Sequence, residues 1–126
     1  MLDFLPSENG KLAFDPLALE KATEGANAVV VGPGMGKSDE IRKIVVWLIE
    51  NCYKRKMILQ LHFGTFRNVN ARMYEECGKD SGFDIMRGAI DTDKLVKIFD
   101  RENMRLGGLP KIVVYPLNDY DLRSII

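Results

Sequence analysis

Ala28-Val29-Val30-Val31-Gly32 is a continuously apolar run of strand length, and two later runs repeat its character: Met57-Ile58-Leu59-Gln60-Leu61-His62 and Lys111-Ile112-Val113-Val114-Tyr115. Short runs without polar alternation suit strands of a parallel sheet. Between them lie segments long enough for helices. Strand–helix–strand in succession predicts an α/β architecture with a small, three-stranded, mainly parallel sheet built from βα units.

The helices carry readable start and stop signals. Asp15-Pro16 can open the first, with Asp capping free N–H groups and Pro pre-setting φ, and Gly25 can end it. Ser38 caps the second, Asp39 and Glu40 sit at its positive pole, and Lys54, Arg55 and Lys56 suit its negative one. Ile41, Ile44, Val45, Leu48, Ile49 and Cys52 form one stripe of that helix. Val46 and Trp47 widen it, which suits a dimer surface. A shorter helix is expected over about Asn70–Cys77. Asp91-Thr92-Asp93 caps a better one that buries Leu95, Ile98 and Phe99. Gly107-Gly108-Leu109-Pro110 turns the chain into the last strand, and Asn118-Asp119 can open a final helix.

Composition bounds the function. The chain has 126 residues, with 18 basic against 18 acidic side chains. That balance leaves no electrostatic footprint for nucleic acid or an anionic membrane. No apolar run approaches the ~18 residues that cross a bilayer. Met1-Leu2-Asp3-Phe4-Leu5-Pro6 lacks the basic region of a signal peptide. Two cysteines, Cys52 and Cys77, are too few for a disulfide framework or a Cys-rich zinc site. One cytoplasmic domain over residues 1–126 is expected.

Between the first strand and the second helix stands Gly32-Pro33-Gly34-Met35-Gly36-Lys37-Ser38. Strand, glycine loop and helix N-terminus is the arrangement that cradles phosphate, with Gly32, Gly34, Gly36, Lys37 and Ser38 as the candidate phosphate- or nucleotide-binding residues. A Walker loop carries one more residue before its Gly-Lys-Ser, and the dinucleotide fingerprint has Gly where Lys37 stands. A tight strand-to-helix turn requires the same glycines with no ligand. Asp80, Asp84, Asp91 and Asp93 do not have the spacing of a calcium loop, and caps and turns account for them.

Two family resemblances follow from these residues. Glu8-Asn9-Gly10, Leu17-Ala18-Leu19-Glu20-Lys21-Ala22 and the stretch Ala28–Gly36 resemble the ribokinase-like NAD(P)H-hydrate dehydratases, whose Gly-Pro-Gly-Leu-Gly loop lies at the active-site cleft. That family's Asp-Ala-Asp strand end is replaced here by Gln60-Leu61-His62, and its Gly-Thr-Gly-Asp anion hole is missing, so dehydratase activity is not expected. Gln60-Leu61-His62-Phe63-Gly64-Thr65-Phe66-Arg67-Asn68-Val69-Asn70, then Gly78–Asp84 and Leu109–Asn118, resemble the uronate isomerases over residues 57–126. Uronate isomerases are metal-associated (β/α)₈ barrels that interconvert aldose and ketose uronic acids. The resemblance implies that His62 lies near metal or substrate and that Arg67 meets the uronate carboxylate.

Against that, the family's metal site begins with a His-x-His pair, this chain has one histidine, and a barrel takes about 250 residues. Without a cage, His62 reads as a strand-end residue satisfied by a local hydrogen bond, and Arg67 as a solvated or loop-pairing arginine. Two resemblances joined near residues 53–57 predict a chimera, natural or de novo, with no evolved catalytic activity, no metal and no cofactor. Phosphate binding at the loop and residual uronate isomerase activity through His62 and Arg67 are the alternatives. Because strands cut from a barrel lose the cover of one face, helices on both faces or a homodimer, simple or swapped, is expected.

Overall fold

All three apolar runs become strands of one sheet. The chain is described by a computed structural model covering residues 7–8, 11–32, 38–78, 81–86, 88 and 90–125. In chain order the elements are β1 (Ser7–Glu8), β2 (Lys11–Leu12), α1 (Pro16–Ala22), β3 (Ala28–Val31), α2 (Asp39–Lys54), β4 (Ile58–Phe63), β5 (Thr65–Phe66), α3 (Ala71–Cys77), β6 (Ile85–Met86), α4 (Thr92–Leu106), β7 (Lys111–Pro116) and α5 (Asp119–Ile125). The main sheet has the order β3-β4-β7, and both pairings are parallel. Two small antiparallel pairs, β1 with β2 and β5 with β6, lie outside the three apolar runs. No helix among the described residues is long and apolar enough to cross a membrane.

The caps form where short polar side chains precede apolar periodicity. Asp15 accepts from the N–H groups of Leu17 and Ala18 at 3.0 and 3.1 Å, with Pro16 at the first helical position. Ser38, Asn70 and Asp91 accept in the same way at the starts of α2, α3 and α4. Arg55, expected to serve the helix dipole, instead reaches across to the hydroxyl and carbonyl oxygens of Thr23 and ties the end of α2 to the end of α1.

Strand alternation then sorts the side chains. Met57, Leu59 and Leu61 of the central strand region are buried, and Val29, Val31, Phe63 and Ile112 join them. Over this face pack Leu19 of α1, Ile44, Leu48, Ile49 and Cys52 of α2, and Leu95, Ile98 and Phe99 of α4. The alternate residues face the other way: Val30 is 62% exposed, Tyr115 42% and Ile58 37%. Among the described residues helices therefore cover one face of the sheet and leave the other partly open. The helices that make the core share one face. Trp47 packs against that core, so the uncovered apolar surface lies on the open sheet face rather than around Val46 and Trp47.

A charge network joins α2 to α4. Glu102 is buried, accepts from Arg105 at 2.7 Å and is also bonded by Arg101. Arg105 in turn reaches Glu50 on α2 at 2.7 Å, and Glu50 also pairs with Lys54. A buried carboxylate is tolerable only when paired in this way.

These features set two expectations. Leu59→Ala should cost about 2–5 kcal/mol in urea unfolding, as for other fully buried leucines, whereas Ile58→Ala on the open face should cost well under half of that. Hydrogen bonds from Lys54 and Arg105 hold the Glu50 carboxyl below its ordinary value. The stabilisation is complete above the unfolded-state value of about 4.3 and is lost as pH falls through the lower folded-state value. Glu50→Gln should accordingly flatten the acid limb of the urea midpoint against pH. An unchanged limb would show that the pairs are screened by solvent.

Candidate functional site

His62 occupies the carboxyl end of the central strand, in register with Tyr115 of β7. Their rings stack with centroids 4.6 Å apart and planes inclined by 33°. On the other flank Gly32 follows β3 so closely that a Cβ there would overlap the His62 Cβ and lie 3.0 Å from the His62 carbonyl oxygen. The absence of a side chain at Gly32 thus has a cause inside the sheet. Nε2 of His62 is buried and has no hydrogen-bond partner among the described residues. The local hydrogen bond expected of a strand-end histidine is not made at this atom, and stacking holds the ring instead. Leaving such an atom unpaired costs about 1–3 kcal/mol. Thr65 Oγ1, just beyond the bend at Gly64, is a second buried polar atom without a partner.

Gly64 has φ +98°, a left-handed backbone that favours glycine, and a Cβ there would lie 2.6 Å from Asn118 Nδ2. The Leu117 N–H donates to the Phe63 carbonyl at 2.8 Å, extending the β4–β7 connection past both strands. Asn118 and Asp121 are buried and bond reciprocally: Asn118 Nδ2 donates to Asp121 Oδ2, and the Asp121 N–H donates to Asn118 Oδ1, both at 2.7 Å. The Ile90 N–H donates to Asp121 Oδ1 at 2.7 Å. Asn118 was expected to open a helix; Asp121 was missed, and the signal for it was a capping-box spacing written in Asn and Asp. An open cleft of 560 Å³ beside this junction is lined by Met86, Gly88, Asn118, Asp119, Tyr120 and Arg123.

Arg67 is a loop-pairing arginine. Its Nε lies 2.9 Å from Asp84 Oδ2, both side chains being about 29% exposed, while Asp84 Oδ1 accepts the Asn68 N–H at 3.0 Å. Val69 N–H to the Phe83 carbonyl, 2.9 Å, closes the same loop. Asp91 caps α4, Asp93 lies in its first turn, and Asp80 falls outside the described residues. Among the described residues no group of three or more His, Cys, Asp and Glu could hold a metal ion.

Gly34, Gly36 and Lys37 lie outside the described residues. Of the candidate phosphate loop, Gly32 admits His62, and the Ser38 hydroxyl accepts from the Ile41 N–H at 3.3 Å. Burial pushes the Cys52 thiol up to about 11, whereas Cys77 is exposed.

Residues 35–126 match the family model described as glucuronate isomerase. The uronate isomerase of Haemophilus influenzae (strain PittGG) is 40% identical over 85 residues, which are 65% of this chain and 17% of that protein. The Mannheimia succiniciproducens uronate isomerase is 36% identical over 82 residues, with the same coverage. The crystal structure of the Thermotoga maritima uronate isomerase superposes with a TM-score of 0.54 and 25% identity, covering 84% of this chain and 22% of that one. The chain thus spans about a sixth of the length of the curated relatives it matches.

These matches correct the expectation of a chimera. The family match runs unbroken through residues 53–57, where the seam was placed, and takes in all of α2. Nothing in them supports a dehydratase segment, a de novo origin or a body without an evolved function. The dehydratase likeness rested on short stretches, Glu8–Gly10, Leu17–Ala22 and Ala28–Gly36, the last a glycine-rich strand-to-helix turn of a kind that unrelated βα units share.

Gly32→Ala should displace His62, lower stability by about 1–3 kcal/mol as overpacking does, and move the resonance of this single histidine in an NMR spectrum. In native protein a thiol reagent should modify Cys77 rapidly and Cys52 only after unfolding; equal rates would contradict the burial of Cys52.

Proposed function

Because the chain belongs to the glucuronate isomerase family, we propose that it is the sugar-acid-handling segment of a uronate isomerase, acting in the cytoplasm. The observation that carries this reading is the buried, unpartnered Nε2 of His62 at the carboxyl end of the central parallel strand. Active sites of parallel βα architectures gather at that end. A buried nitrogen with no partner among the described residues lacks a hydrogen bond that a substrate hydroxyl or carbonyl oxygen would supply.

Converting an aldose acid to a ketose acid is redox-neutral overall. One hydrogen leaves carbon 2 and arrives at carbon 1, and one proton passes from the oxygen on carbon 2 to the oxygen on carbon 1. An imidazole can carry that proton between the two oxygens. Arg67, oriented through Nε by Asp84, supplies a guanidinium for the acid's carboxylate, a charge-assisted pairing that neutral sugars would not make.

Titration of the full chain with glucuronate should shift the His62 ring signals and those of the Arg67 side chain. His62→Gln should abolish the first response. Arg67→Lys should weaken binding about tenfold or more, the scale of one lost hydrogen bond to a charged group. Absence of any shift in the wild-type chain, or identical titrations in both variants, would end this reading.

A further inference from the structure

We propose that Asn118 and Asp121 are positioning residues for His62: as a buried reciprocal pair they clamp the Gly64 bend and so fix the position of two buried atoms that have no partner among the described residues, Nε2 of His62 and Oγ1 of Thr65. This rests on the reading of that strand end as the sugar-acid site.

Two buried polar atoms without partners flank one bend, His62 two residues before Gly64 and Thr65 one residue after it. A backbone free to relax would let each atom find a bond, because the unpaired state is the costly one. Something must hold the corner, and the structure shows what does. Asn118 Nδ2 stands where a Gly64 side chain would be, and the Leu117 N–H grips the Phe63 carbonyl just before the bend. Asn118 cannot swing away, since both ends of its amide are bonded to Asp121. Asp121 is itself fully buried and anchored by the Ile90 N–H, so the clamp reaches the segment that leads into α4. Asn118 and Asp121 thereby act on His62 through the chain without belonging to the reacting set.

The test uses the ligand-free full chain, in which His62 is the single histidine and its ring shift reports stacking on Tyr115. At one fixed pH, Asp121→Asn sets two amide NH₂ groups against each other and should move or split the His62 signal. Adding Asn118→Asp restores a donor facing an acceptor and should return the signal to its wild-type position. If Asp121→Asn lowers the thermal midpoint but leaves the His62 signal in place, the pair is structural only and the proposal fails. It fails equally if the double variant recovers the midpoint without recovering the signal. Should Asp121→Asn not fold, Asn118→Ala, which keeps Asp121 anchored at Ile90, is read by the same criterion: a displaced His62 signal supports the clamp and an unmoved one overturns it. Glucuronate titrations are run separately. A displaced His62 signal in a chain that never answers to glucuronate would keep the clamp and remove the sugar-acid reading.

Discussion

A parallel sheet has two faces that both shun water, and this chain covers one of them. Every larger feature follows from that asymmetry. Leu59 and Leu61 face α2 and the core, so their neighbours Ile58, Gln60 and His62 must face away from it. The same register brings Val30, Val113 and Tyr115 to that second face. A histidine set at the end of this row meets the chain at Gly32 on one side and the Tyr115 ring on the other. Its Nε2 is buried and bonded to no donor or acceptor among the described residues.

That burial depends on two approaches that side chains would forbid. Gly32 lets the chain leaving β3 lie against the His62 backbone, and Gly64 lets the bend after β4 lie against Asn118. Both glycines answer to tertiary neighbours distant in sequence. The site is thus a product of how three strand ends are brought together, and its polar atoms stay unpaired because those ends are locked.

Much of the fold was legible because its signals are local. Three apolar runs marked the strands, and Asp15, Ser38, Asn70 and Asp91 marked helix starts through caps that need only three or four residues to act. Longer-range features were less legible. Glu102 looks like one more charge on an amphipathic helix until Arg105 joins it to Glu50 of another helix. The two-residue strands β5 and β6 have no periodicity to detect. Gly32 read either as a tight strand-to-helix turn or as part of a phosphate loop, and the close approach of His62 that it permits has no local signal, since its cause lies on another strand. The isomerase likeness was carried by a long ordered stretch and holds; the dehydratase likeness was carried by three short stretches and finds no support.

The two residues proposed to meet the sugar acid are mounted differently. His62 sits on a strand end fastened by main-chain bonds to β7 and walled by glycine and tyrosine. Arg67 sits on a connecting segment tied by the carboxylate of Asp84, by the Val69 N–H to the Phe83 carbonyl and by the short β5–β6 pair. One wall is stiff and the other adjustable. Exchanges within residues 67–86 can retune which acid is gripped without disturbing the imidazole, so such a scaffold separates the evolution of selectivity from the upkeep of its chemistry.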